Sequence, residues 1–280
     1  MRFFGAHVSA SGGLENALAN GRELNVNTIQ LHPSPPQRWN ANPFAPDVEA
    51  KFLAARESSG VKRVYFHAIY LINMGTPDER HFNLSKKSLF NDLDLCARIH
   101  GDGVIFHSGS LKDEPDESKG LRRVADGINE IMGKYHGAAR LIIEVAAGSG
   151  AVIGDRLEEL AEIYSNVEDK ARVGFGLDSQ HLWASGYDLR GDLVGFVKQV
   201  ESTLTLEKIY SFHLNDSKTA LASRVDRHEN LGQGLIGLEA LTALVDHPAF
   251  RDVPFILETP ALKDMGTAKE EVERLRGIVG

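Results

Sequence analysis

The chain has 280 residues and an ordinary globular composition, 42% hydrophobic and 25% charged, and its 31 basic residues against 39 acidic ones leave a net charge of −8. At face value that balance argues against a nucleic-acid partner, although bound cations reverse a local field. Cys96 is the only cysteine, which excludes an internal disulfide and any cysteine-based zinc site, so metal ligands must come from histidine and carboxylate.

No run of about 18 apolar residues exists to span a membrane. The opening MRFFGAHVSASGG lacks the long apolar core of a signal peptide, so a soluble, cytoplasmic protein is expected.

Short apolar runs alternate with amphipathic stretches from end to end. Strands are predicted at 3–8, 28–32, 63–67, 103–107, 141–145, 173–178, 209–213 and 254–258. Each is nearly continuously apolar, as parallel strands covered on both faces are. Helical patterns fill the intervals at 14–24, 47–58, 84–99, 118–135, 157–167, 192–204, 238–245 and 267–278. Eight strands each followed by a helix, in more than about 250 residues, is the count of a (β/α)8 TIM barrel. The alternative is a doubly wound open sheet, but no Gly-x-Gly-x-x-Gly turn follows the first strand. With no repeat or linker in sight, residues 1–280 read as one domain, and the prolines between 32 and 46 as a stiff surface loop.

A polar residue closes every predicted strand: His7, His32, His67, His107, Glu144, Asp178, His213 and Glu258. One such histidine is ordinarily a hydrogen-bonded core residue. Eight together carry more weight, because the C-terminal strand ends of a barrel converge on one mouth, where active sites lie. Two further spacings add to the set. Asp178-x-x-His181 lies just past strand six, and Asp226-x-His228 puts a carboxylate and an imidazole on one side of an extended segment. Nitrogen and oxygen donors without sulfur suit zinc, manganese or iron better than calcium. His81, His100, His136 and His247 fall in helices or connections and read as exposed.

These residues sit in longer segments that carry a resemblance. GAHVSASGG at Gly5, HAIYLINMG at His67, FHSGS at Phe106, IIEVAAGSG at Ile142, GLDSQHLWASGYDLR at Gly176, HLNDSKTALASRVDRHENLGQGLIG at His213 and ILET at Ile256 run in order through the whole chain. Together they resemble the endonuclease IV family, zinc-dependent apurinic/apyrimidinic endonucleases also called deoxyribonuclease IV. The resemblance implies a xylose-isomerase-like (β/α)8 barrel holding three zinc ions, with manganese as a possible substitute. His67, His107 and Glu144 would hold the first. Glu144 would bridge to a second completed by Asp178, His213 and Glu258, and His181, Asp226 and His228 would hold the third. Four carboxylates against three divalent ions leave the occupied site positive, so an acidic protein can offer a pocket to phosphate.

The activity implied is hydrolysis 5′ to an abasic site in duplex DNA, leaving a 3′-hydroxyl and a 5′-deoxyribose phosphate, by a protein acting as a monomer. Zinc lowers the pKa of bound water to about 7, so no side-chain nucleophile is required, and Glu144 is the carboxylate nearest that chemistry. Lys218, Arg224 and Arg227 are candidate phosphate contacts. Tyr70 and Leu71 match the family residues that wedge into the base stack.

The chain departs from the family in several places. Ser179 and Gln180 stand where Thr and Cys are common, Val145, Ala146 and Ala147 follow Glu144 where Asn, Thr and Ala are common, and Ala222 replaces a usual glycine. HPSPPQRW replaces a strand-two loop richer in lysine, asparagine and arginine, leaving Gln37, Arg38 and Trp39 as candidates, with Arg38 offset by one. The Tyr70 and Leu71 wedge is therefore expected to carry more of the DNA distortion. The main rival is a sugar isomerase or epimerase on a similar barrel, which has no use for the Asp178-x-x-His181 and Asp226-x-His228 ligands. A non-catalytic DNA-binding relative is the other alternative.

Overall fold

The computed structural model describes residues 2–39, 42–112, 114 and 116–280. In chain order its larger elements are β1 (Phe4–His7), α1 (Asn16–Glu23), β2 (Thr28–Leu31), α2 (Pro46–Arg56), β3 (Arg63–His67), α3 (Glu79–Arg98), β4 (Gly103–His107) and α4 (Glu117–Met132). There follow β5 (Arg140–Glu144), α5 (Leu157–Ser165), β6 (Val173–Asp178), α6 (Ser179–Ser185), α7 (Leu193–Leu204), β7 (Ile209–His213), β8 (Asp216–Ser217), β9 (His228–Glu229), α8 (Leu238–Asp246), β10 (Phe255–Leu257) and α9 (Met265–Val279). Among the described residues eight parallel strands close a barrel in the order β1, β10, β7, β6, β5, β4, β3, β2, so the open-sheet alternative is excluded.

Every predicted strand is present, but His32 and Glu258 lie one residue past the strands they were expected to end. The predicted helix at 84–99 begins earlier, at Glu79, because the Asp78 carboxylate accepts from the backbone N–H of Arg80 and His81 and caps it there. α6 was not predicted. It is a short polar helix started by Asp178 and stopped by Gly186 at φ +106°, a left-handed position that costs glycine little.

Two cores hold the barrel. The large one packs the outward strand residues against the helices, with Phe66, Phe106, Ile143 and Phe212 fully buried in it. Inside the barrel a small layer of Tyr65, Ile105, Ile142 and Ile256 fills the centre. Strand alternation puts the residue two positions later on the same inner face, which is His67, His107, Glu144 and Glu258. The apolar layer is thus a floor, and the charged layer stands on it at the mouth. β1 reaches this arrangement by close approach: a Cβ on Gly5 would lie 1.6 Å from the carbonyl oxygen of Thr28.

Candidate metal centre

Glu144 is the hub of the mouth. It is completely buried, and its two oxygens divide the histidines between them. Oε2 lies 3.1 Å from His67 Nε2 and 3.4 Å from His107 Nε2, while Oε1 lies 2.7 Å from His213 Nδ1 and 3.5 Å from His181 Nδ1. His213 Nδ1 also faces Glu258 Oε2 at 3.4 Å and Asp178 Oδ2 at 3.8 Å.

Asp178 connects this inner group to an outer one. Ending β6, it turns Oδ1 to the backbone N–H of Gln180 and His181, which caps α6 and sets His181 on the first helical turn. Oδ2 accepts from Asn215 Nδ2 at 2.7 Å and lies 3.8 Å from His228 Nε2. His228 is held by a two-residue antiparallel pairing, Asp216 with Glu229 and Ser217 with His228. Asp226, two residues earlier and half exposed, places Oδ1 3.4 Å from His228 Nε2 and Oδ2 3.6 Å from His181 Nε2.

Among the described residues three sets of donor atoms are compact enough for an ion: His67, His107 and Glu144; Glu144, Asp178, His213 and Glu258; and Asp178, His181 and His228, beside which Asp226 stands within reach of both imidazoles. The hydrogen bonds test whether these sets fit metals. A ligating imidazole needs a bare nitrogen toward the ion and a proton on the other, usually given to a carbonyl. His67 Nδ1 donates to the Ala68 carbonyl, His181 Nδ1 to that of Val145, His228 Nδ1 to that of Glu258, and His213 Nε2 to the Gln30 side-chain oxygen. In all four the remaining nitrogen faces the carboxylates. His107 differs, since its buried Nδ1 has no hydrogen-bond partner among the described residues. The donor set fits divalent cations of zinc type.

Without a metal, protons do the neutralising. Burial opposes charge on His213, yet Glu258 and Glu144 outweigh it and push the imidazole up to about 9. His67 and His181 are raised against the same burial, the one by Glu144 and the other by Asp178 and Asp226. Burial also works against ionised Glu144 and Glu258, but the facing histidines hold both well below the usual carboxylate range. His107 goes the other way, down to about 4, through burial and the neighbouring imidazoles. Since His213 is raised from 6.5, its stabilising effect is fully present below about 6.5 in the metal-free protein and is lost as pH rises through about 9. Metal affinity runs oppositely, because the bare nitrogen an ion needs appears only as that proton leaves. Zinc added to metal-free protein near neutrality is expected to release protons, the number falling as pH rises through about 9, where His213 loses its own. Calorimetric titration in buffers of different ionisation enthalpy measures this, and no dependence on buffer would refute it.

The DNA-binding candidates divide by location. Tyr70 is 69% exposed on the rim of a cavity of about 370 Å³ that the histidines line, and its ring meets the edge of His32. It belongs to the turn after β3, not to the apolar face of α3. Leu71, in contrast, packs against the main core and its carbonyl accepts from His81. His81 is therefore not the exposed histidine expected; it also meets Trp39 edge-on. Arg38, Lys218 and Arg227 are exposed. Arg224 spends its guanidinium on the protein, on Asp155 at 2.9 Å and the Gly148 carbonyl, and pins the loop that carries Asp226. Ala222 in that loop has φ +60°, the left-handed conformation a glycine adopts without strain.

Sequence reasoning missed three kinds of residue here. Lys263 lines the mouth cavity, but nothing distinguishes it from a surface lysine until the chain is folded. Gln30 and Asn215 are buried amides bonded to candidate ligands, and an amide in an apolar run carries no signal of its own. Asp216 looks like a ligand in HLNDSK, yet its carboxylate is occupied by the backbone N–H of Gly234 and Ile236 and shapes the return loop.

Comparison with known proteins agrees with this geometry. The model of the xylose isomerase-like TIM barrel family matches residues 18–278. A probable endonuclease 4 from Chloroflexus aurantiacus is 34% identical over 280 residues, covering 99% of this chain and 98% of that protein. The crystal structure of endonuclease IV from Thermus thermophilus superposes with a TM-score of 0.87 at 30% identity, covering 99% and 98% of the two chains. A D-tagatose 3-epimerase-like protein, with a TM-score of 0.77 but 18% identity, shares the fold.

Proposed function

Because the chain belongs to the endonuclease IV family, we propose that it is a zinc-dependent endonuclease of DNA repair that hydrolyses the phosphodiester 5′ to an abasic site in duplex DNA, leaving a 3′-hydroxyl and a 5′-deoxyribose phosphate. The observation that carries this reading is one fully buried carboxylate, Glu144, approached by four histidines in an open mouth.

His67, His107 and Glu144 would hold one zinc, Glu144, Asp178, His213 and Glu258 a second, and His181, Asp226 and His228 a third, with manganese as a substitute. When bound, zinc supplies activated water and positive charge for the phosphate oxygens. The protein's own part is placement. The carbonyl partners of His67, His181 and His228 keep the ring planes and bare nitrogens fixed, so little reorganisation accompanies reaction. Lys218, Arg227 and Arg38 offer cations to the backbone outside the mouth, and Tyr70 offers a ring to the base stack.

The epimerase reading is weaker. Fold is all that is shared with that neighbour, while the outer group of His181, Asp226 and His228 lies beside the inner one, where a small enclosed sugar needs no further donors.

A duplex carrying one abasic analogue, incubated with purified protein with and without chelator, should be cut only in the metal-loaded sample, with the product ends named above. Metal analysis should give about three ions per chain and about one fewer in His228→Ala. Duplex binding without cleavage would favour a non-catalytic relative. A content of one or two ions unchanged by His228→Ala would remove the third site.

A further inference from the structure

Gln30 is the fully buried amide in the inner face of β2, and among the described residues every hydrogen bond of its side chain runs to the mouth. Its Oε1 lies 2.6 Å from His213 Nε2, and its Nε2 lies 2.5 Å from Glu258 Oε1 and 3.0 Å from His7 Nδ1. We propose that Gln30 is a positioning residue that sets His213 and Glu258 for the metal and, through the same amide, fixes His7 as the tautomer that donates from Nε2 to an oxygen of the DNA backbone in the mouth cavity. This deepens the nuclease reading and rests on it for the identity of the substrate.

Ionised Glu258 can only accept, so the NH2 end of the amide must face it and the oxygen end must face His213. An amide oxygen only accepts, so His213 carries its proton on Nε2 and leaves Nδ1 bare toward Glu144, Asp178 and Glu258. With Glu258 Oε1 held by the amide, Oε2 is the oxygen turned to His213 Nδ1, at 3.4 Å. The second amide hydrogen points at His7 Nδ1, which must then accept. A neutral His7 therefore has its proton on Nε2. The groups facing His7 are Gln30, Glu258 at 3.6 Å and the His32 ring at 4.6 Å, and His7 lines the cavity alongside Ser9 and Tyr70. With Nδ1 turned inward, Nε2 is the nitrogen left for a ligand. A neutral amide does here what a carboxylate would do less well, since it serves one acceptor-only and one donor-only neighbour without adding negative charge.

The test is a two-bond 1H–15N correlation spectrum of metal-loaded protein labelled in its histidine rings, with His7 identified by the signal lost in His7→Asn. The neutral form of His7 should be the Nε2–H tautomer in the native protein, and Gln30→Leu should mix its tautomers while the thermal melt shows the chain folded. Gln30→Leu should also lose metal to a chelator about 10–100-fold faster. Gln30→Asn, whose shorter amide cannot span the three partners, repeats the test should the leucine variant not fold. His7→Phe should raise KM for an abasic duplex with metal content unchanged. An Nδ1–H form of His7 in the native protein, or Gln30 variants with native tautomer and native chelator resistance, would overturn the proposal. The tautomer and chelator readings need no DNA, so they stand apart from failure of the nuclease reading itself.

Discussion

Glu144→Gln should cut the cleavage rate on the order of a hundred- to a thousandfold while changing affinity for an abasic duplex far less. Glutamine keeps the shape of the side chain but turns one oxygen into a donor. Neither end of the carboxylate can spare that change, because Oε2 faces His67 and His107 while Oε1 faces His213 and His181. Whichever end carries the NH2 group puts a donor where an ion needs a lone pair, and the negative charge shared by two donor sets is gone. Metal content should fall with the rate. Binding should persist, since Tyr70, Lys218 and Arg227 are exposed outside this buried layer. Single-turnover kinetics alongside a binding titration separates the two. Collapse of affinity with an intact rate per bound complex would mean that Glu144 shapes the DNA surface instead.

The barrel was legible because each strand is apolar on both faces and closes on one polar residue. That pattern survives folding, as the order of the eight strands shows. Boundaries were less legible where a side chain decides them. Asp78 starts α3 earlier than its apolar period does, and Asp178 starts a helix that has almost no apolar period at all. The candidate ligands were visible for the same reason as the strands, since a histidine or carboxylate ending an apolar run is conspicuous. Gln30 ends no run and carries no charge, so its bonds to His7, His213 and Glu258 exist only once β1, β2, β7 and β10 are brought together. Arg224 shows the converse. Its sequence setting suggests phosphate, and only the fold reveals Asp155 and the Gly148 carbonyl as its partners.

Tyr70 and Leu71 look alike in HAIYLIN, and the structure separates them into different predictions. Leu71 packs on the core, so Leu71→Ala should lower stability by roughly 1 kcal/mol and impair every substrate equally. Tyr70 has 69% of its surface exposed, so Tyr70→Ala should leave the melting temperature nearly unchanged. Its backbone N–H is tied to the Pro36 carbonyl and its ring rests edge-on against His32, whose Nδ1 donates to the His67 carbonyl. The ring is therefore held up from a rigid base at the side of the cavity, which is the stance a wedge needs. Displacing a base from the stack costs a few kcal/mol, and least where pairing is already lost. If Tyr70 meets that cost, Tyr70→Ala should cut an abasic site in a fully paired duplex about 10–100-fold more slowly and recover most of the rate when mismatches flank the site. Equal impairment of Tyr70→Ala on the paired and the mismatched duplex would assign the ring to the geometry of His32 and His67 instead of to the opening of the DNA.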